Sequence, residues 1–316
     1  MIIIPTRLCN TNSCSYCWVH KKDFNVKYFD NFNLEDFYEK MFFISNNLSD
    51  FNLRFFGWEP FLRFDVIKEI ILYFKQKSDK FNFTINTNLT LLDEQKLDFI
   101  KENKIKLIIS CNWNLKTHSK TRWIWISETL KLYKNIRKIL NFRIPHQINV
   151  VVNNENALDL EKNLIFINKK LFGENINLLP VSYNWWTEIG LVNFEKSLNI
   201  ISEKIKSWKL KINFINKQIN NDVSLFNSEF VVDSDWKIYP STAILEIFFI
   251  KEKEKILISD LSKNLDEIKK DLSSWEEENH KIYSLFINKV LKNKFSNIIE
   301  NDQNSSLIFH NFLEKI

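Results

Sequence analysis

Glycine is nearly missing from this chain: 3 residues in 316. A loop that cradles phosphates on bare backbone needs several glycines, and neither G-x-G-x-x-G nor G-x-x-x-x-G-K occurs. Nucleotide-binding folds of those two kinds are therefore excluded. Long apolar runs are missing too. The best, Ala243 to Ile250, is interrupted by Glu246 and falls far short of the ~20 residues a membrane helix needs. The opening Met1-Ile-Ile-Ile-Pro5 lacks a charged leader, so no secretory signal is expected and the cytoplasm is the expected compartment. Charge of one sign is lacking as well. Lys+Arg 44 against Asp+Glu 39 leaves a net +5, and the densest stretch, Lys251 to Lys255, alternates in sign. A dedicated nucleic-acid binder concentrates its basic residues, so nucleic acid is an unfavoured partner. Hydrophobic residues at 45% are enough for a sizeable core.

Cysteine is sparse and unevenly placed: Cys9, Cys14, Cys17 and Cys111. A secreted disulfide framework would spread its pairs along the chain. Three thiols within nine positions read instead as metal ligands in a reducing compartment.

Along the chain, short apolar runs alternate with segments of helical spacing. Strands are expected at Ile2–Ile4, Phe51–Phe56, Phe81–Ile85, Ile105–Ser110, His146–Val152 and Ile176–Leu179. Helices are expected at Asn33–Asn47, Phe64–Lys77, Leu92–Asn103, Ser127–Leu140 and Leu158–Leu171, with Asn33 capping the first. Six strands interleaved with five helices give an α/β fold, a partial parallel (β/α)6 TIM-like barrel. In such barrels the chemistry sits at the C-terminal ends of the strands. The pattern changes after Pro180. A helix over Phe194–Trp208, a hairpin turning at Asp233–Asp235, and helices over Ser262–Leu272 and Glu276–Phe295 follow. Residues 1–190 are the expected barrel and 191–316 a C-terminal hairpin-plus-helix appendage.

The loop Cys9-Asn-Thr-Asn-Ser-Cys14-Ser-Tyr-Cys17 follows the first strand directly. Three thiolates can hold three corners of a [4Fe–4S] cluster and leave one iron open. The loop also fits zinc, because His20 would complete a Cys3His set, and a zinc-knuckle nucleic-acid-binding protein is the corresponding alternative. The later strand ends carry further polar groups: Phe55-Phe-Gly57-Trp58-Glu59-Pro60, Asn86-Thr87-Asn88 and Ser110-Cys111-Asn112, then His118 and Arg122 before a helix. Cys111 lies among Ile108, Ile109 and Trp113 and reads as a core thiol. The Trp185-Trp186 pair either packs near the barrel mouth or lines a groove there.

Taken in order, these clusters resemble the radical S-adenosylmethionine (radical SAM) superfamily over roughly residues 1–180. The cysteine loop is similar to the family's C-x3-C-x2-C, with one extra residue in the first gap. Gly57-Trp58-Glu59-Pro60 resembles its GGEP motif, Thr87-Asn88-Leu89 its Thr-Asn-Gly, and Ser110-Cys111-Asn112 its Ser-x-Asp. His118 and Arg122 resemble a pair typical of the branch that modifies peptides and proteins. The resemblance implies a [4Fe–4S] cluster on Cys9, Cys14 and Cys17, with S-adenosylmethionine (SAM) held by Tyr16, Gly57, Glu59, Asn88, Ser110, Asn112 and Arg122. The implied reaction is reductive cleavage of SAM to a 5′-deoxyadenosyl radical, with an external electron donor and a peptide or protein substrate. Glu59 would meet the SAM ammonium, Ser110 and Asn112 its ribose, Arg122 a carboxylate, and Tyr16 the adenine. The hairpin ending Tyr239-Pro240-Ser241 resembles the SPASM-type auxiliary-cluster domain of that branch. Ser241 stands where its cysteine would be, and no cysteine follows Cys111. Trp58, Leu89 and Asn112 depart from the family's residues, which opens a second alternative: a catalytically reduced iron–sulfur binding protein.

Overall fold

The structure is a computed structural model. It describes residues 1–11, 14, 17, 34–46, 51–112, 125–171, 173–181, 186–218, 230–240, 253–275 and 296–316. Tyr16, His20, Asn33, His118, Arg122, Trp185, Ser241 and the helix expected over Glu276–Phe295 lie outside the described residues.

The strands are β1 (Ile2–Ile3), β2 (Asn52–Phe55), β3 (Asn82–Thr87), β4 (Lys106–Ser110), β5 (His146–Val152), β6 (Asn175–Pro180), β7 (Asn213–Phe214), β8 (Val231–Val232), β9 (Lys237–Tyr239) and β10 (Ser259–Asp260). The α-helices are α1 (Leu34–Asn46), α2 (Phe64–Lys77), α3 (Glu94–Glu102), α4 (Ile126–Asn141), α5 (Leu160–Leu171), α6 (Glu188–Lys206), α7 (Leu265–Ser274) and α8 (Ser296–Lys315). Among the described residues, these ten strands join one sheet in the order β10-β9-β8-β1-β2-β3-β4-β5-β6-β7. Pairing is parallel from β8 through β1 to β7, and β9 and β10 are antiparallel at the β8 edge.

This is the expected α/β architecture, a partial (β/α)6 barrel extended at both edges. At one edge β7 adds to β6, in register Asn175↔Asn213. At the other, the hairpin is not a free appendage: β8 pairs with β1, in register Ile2↔Val231 and Ile3↔Val232. The boundary expected at 190/191 falls within α6, and the sheet carries strands from both sides of it.

The sheet has two unlike faces. Ile3, Phe55, Ile85, Ile109, Val150 and Leu178 belong to the continuous core formed with the helices. Val66, Ile67, Ile70, Ile71 and Phe74 put helical spacing on the buried stripe of α2, which is why that segment winds as a helix against the sheet. The alternate residues point the other way. In register across the sheet, Ser110 neighbours Asn149 and Asn149 neighbours Asn177. That inner face is polar where a strand covered by helices on both sides would be apolar.

Trp236 seats the hairpin. It adopts a left-handed φ of 64°, is buried, and stacks on Phe37 of α1 with ring centroids 4.4 Å apart. The helix α8 was not anticipated from the sequence. It buries Phe309 and Phe312, and Phe309 faces Phe194 of α6 at 6.5 Å.

Candidate active site

The site is built at the C-terminal ends of β1, β2 and β3. The chain leaves β1 through Thr6, Arg7 and Leu8 and reaches Cys9. Opposite it, Gly57 leaves β2 with φ 123°, and a Cβ there would come within 2.7 Å of the Thr6 carbonyl oxygen. Only glycine allows this approach of the two loops. Trp58 stands where the family has a second glycine, and its φ is not positive, so a side chain is tolerated there.

Glu59 is fully buried. Its Oε1 accepts from the Thr87 hydroxyl at 2.7 Å and the Phe61 N–H at 3.1 Å, and its Oε2 accepts from the Asn88 N–H at 2.7 Å. Its own N–H donates to the Leu8 carbonyl at 3.1 Å. One carboxylate thus ties the end of β2 to the end of β3, and its backbone ties both to the cysteine loop.

Asn88 completes the join. Its Nδ2 donates to Asn10 Oδ1 at 2.9 Å, Asn10 Nδ2 donates to Thr90 Oγ1 at 2.8 Å, and Thr90 Oγ1 donates to Asn88 Oδ1 at 2.6 Å. These three bonds close a ring between the cysteine loop and the turn after β3. Leu89, in the family's third glycine place, keeps the left-handed backbone with φ 62°. Its N–H donates to Thr87 Oγ1 at 2.8 Å, its carbonyl accepts from Asn135 Nδ2 at 2.9 Å, and its side chain is fully buried. A non-glycine residue pays about 1 kcal/mol for that conformation, which burial of a leucine side chain outweighs.

Cys9 and Cys14 are half-buried, Cys17 is exposed, and Cys111 is buried in the core. Cys9 Sγ accepts the Thr11 N–H at 3.4 Å and lies 3.1 Å from Thr11 Oγ1. The Cys17 N–H donates to the Cys14 carbonyl at 3.0 Å, a turn that holds these two together. Among the described residues no three His, Cys, Asp or Glu side chains converge as a ligating group. The donor set still suits an iron–sulfur cluster: three cysteines in one loop, with backbone N–H support at the first sulfur.

Ser110 is half-buried at the end of β4. Asn112 is fully buried, and its Oδ1 accepts the Val151 N–H of β5 at 3.3 Å, so this side chain also laces adjacent strand ends. Burial raises the Tyr133 phenol above the usual tyrosine range, and the neighbouring Cys111 adds to the effect. Trp186 is buried, donates from Nε1 to the Val181 carbonyl at 3.0 Å and stacks on Phe194, so it packs beside the mouth.

A model of the radical SAM superfamily matches residues 3–167, a little over half the chain. The chain belongs to this superfamily. The described members of those motifs, Cys9, Gly57 to Pro60, Thr87 to Leu89 and Ser110 to Asn112, follow the ends of β1, β2, β3 and β4 in order. An uncharacterized protein of Methanocaldococcus jannaschii is 30% identical over 169 residues, covering 51% of this chain and 56% of the relative. The chain thus matches a little over half the length of that curated relative. Among solved structures, anSMEcpe with bound AdoMet and Kp18Cys peptide superposes with a TM-score of 0.67 at 17% identity, covering 85% of this chain and 79% of that one. SuiB of Streptococcus suis bound to precursor peptide SuiA gives a TM-score of 0.57 at 17% identity, covering 78% and 60%. Radical SAM proteins use a [4Fe–4S] cluster with SAM, and these likenesses place the present chain in the same fold.

Sequence reasoning missed Arg7 and Asp233. They form a two-point ion pair, Arg7 Nε to Asp233 Oδ1 at 2.9 Å and a second Nη2–Oδ2 contact, with side-chain exposures of 6% and 0%. Burial lowers the Arg7 pKa, while Asp235 and Tyr239 pull it back up. A basic residue two places before a cysteine and an acid in a hairpin turn carry no pairing signal across 226 positions.

Proposed function

We propose that this chain is a radical SAM enzyme acting on a peptide or protein side chain. Cys9, Cys14 and Cys17 hold the [4Fe–4S] cluster. When bound, the cluster supplies the electron that cleaves SAM into methionine and a 5′-deoxyadenosyl radical able to take hydrogen from substrate. An external donor provides the electron, and the cytoplasm is the setting this chemistry suits.

The chain's own residues position and shield. Gly57 lets backbone approach the SAM methionine closely. Glu59 brings a carboxylate to the bracket and would favour an ammonium nearby. Asn88 and Ser110 offer short polar groups to the SAM backbone and ribose, with Asn112 fixing the strand end beside them. Tyr16 would serve the adenine and Arg122 a carboxylate, the roles the family resemblance implies for them. Residues 1–190 carry the cofactors, while 191–316, a metal-free relative of the SPASM-type domain, close the edge of the sheet beside them. The peptide reading draws on the two solved structures above, anSMEcpe with its Kp18Cys peptide and SuiB with its precursor peptide SuiA.

The observation that carries the reading is the closed ring Asn10–Thr90–Asn88, which joins the cysteine loop to the strand end expected to face SAM. The departures at Trp58 and Leu89 do not favour a reduced descendant: neither disturbs the backbone that the bracket needs. The test is an anaerobic assay with SAM, dithionite and peptides encoded by neighbouring genes. 5′-Deoxyadenosine should form, rise when the right peptide is added, and vanish in Cys14→Ala. Formation that responds to small metabolites but to no peptide would contradict the substrate class. Absence of 5′-deoxyadenosine with iron bound would support the reduced alternative.

A further inference from the structure

The ion pair Arg7–Asp233 is deeply buried and joins the approach to the cysteine loop to the C-terminal hairpin. Both guanidinium contacts fall on one carboxylate, so the pair fixes orientation as well as distance. Asp233 is itself held: its Oδ1 also accepts the Ser234 N–H at 2.7 Å, and its backbone closes the turn with Lys237 and Trp236. The guanidinium also lies over the Trp58 ring, 5.9 Å from its centroid. Arg7 is therefore gripped between the hairpin turn and the strand end after β2. Immediately beyond it, the Leu8 N–H donates to Thr6 Oγ1 at 3.1 Å and the Leu8 carbonyl accepts from Glu59. Cys9 is the next residue. The supports named here come from the ends of β1, β2 and β8, and Asp233 of the hairpin supplies a charged one.

We infer that Asp233 is a positioning residue for the cysteine loop, acting through Arg7, so that the C-terminal hairpin is a working part of the cluster site. This inference rests on the reading of Cys9, Cys14 and Cys17 as cluster ligands. A carboxylate that only stabilises the fold could be replaced, together with its partner, by apolar groups of similar size without consequence for the loop. A positioning carboxylate could not.

The experiment uses the full chain, reconstituted anaerobically with iron and sulfide. Iron per chain, retention against a chelator, the EPR spectrum after dithionite with and without SAM, and the melting temperature are read together. Asp233→Asn is expected to weaken cluster retention roughly tenfold, the size seen when outer-shell partners of metal ligands are removed, and to alter the SAM-dependent EPR change. The double variant Arg7→Met/Asp233→Leu is expected to regain the melting temperature but not the wild-type spectrum. Asp233→Glu should recover part of it. Lys237→Met, which breaks the exposed pair with Glu254 in the same hairpin, should leave every readout as in the wild type. If Asp233→Asn fails to fold, the double variant decides alone. A wild-type spectrum and retention in the folded double variant would overturn the inference. A wild-type chain that takes up no iron would overturn the parent reading instead.

Discussion

Two polar regions of the same sheet are treated in opposite ways. At the ends of β2 and β3 the side chains find protein partners: both Glu59 oxygens are engaged, and Asn10, Asn88 and Thr90 close a ring. On the inner face of β3, β5 and β6 the amides are left short. Asn177 Nδ2 and Gln147 Nε2 both donate to Asn149 Oδ1, at 3.1 and 3.4 Å. Asn86 Oδ1 and Asn177 Oδ1 are buried and lack a hydrogen-bond partner among the described residues. An unsatisfied buried acceptor costs about 1–3 kcal/mol, so the inner face carries a penalty that the rim does not. The rim is finished on its own and can hold a loop in place.

The largest effect should come from Glu59→Ala. It strips the acceptor from the Thr87 hydroxyl and from the Asn88 and Phe61 amides in a fully buried place, and should cost about 3 kcal/mol or more in urea unfolding. A variant as stable as the wild type would mean that Glu59 serves only a ligand and that the rim is not self-supporting. Leu89→Gly comes next. Relief of the left-handed backbone returns about 1 kcal/mol, but loss of a fully buried leucine costs more, so a net destabilisation of about 2 kcal/mol is expected. Stabilisation by glycine would show that the backbone, not the packing, governs this turn. Asn88→Leu should cost about 1–2 kcal/mol and lower iron uptake, because it opens the ring to Asn10. Stability lost with full iron uptake would separate the ring from the cysteine loop. Asn177→Leu should be smallest, within about 1 kcal/mol of zero, since it removes an orphaned acceptor along with one donor. A large loss there would erase the contrast between rim and inner face.

Much of this fold was readable from the sequence where periodicity was strong. His146–Val152 and Phe64–Lys77 match the expected strand and helix end to end, because β-branched alternation and i, i+3, i+4 spacing leave little choice. The strand-end motifs were readable because the barrel rule says where to look. What escaped depends on contacts between distant segments. β7 is two residues long, too short for any pattern, and exists because β6 offers its edge; the hairpin of β8 and β9 was expected, but its pairing with β1 was not. Helix α8 runs through Asn297, Asn301 and Asn304, poor helix formers that hide the apolar stripe ending in Phe309 and Phe312. Glu59 was read as a ligand to an ammonium, yet the structure shows it first as a bracket between two strands. No residue type announces which of its possible donors will surround it.

The central claim is that the loop of Cys9, Cys14 and Cys17 is an iron–sulfur site that takes SAM. The most direct measurement is metal content and EPR of the anaerobically reconstituted chain, before and after SAM is added. The account predicts about four irons per chain, a reduced-cluster signal that changes with SAM, and loss of both in Cys14→Ala. Stoichiometric zinc, with no iron retained and no change on adding SAM, would contradict it.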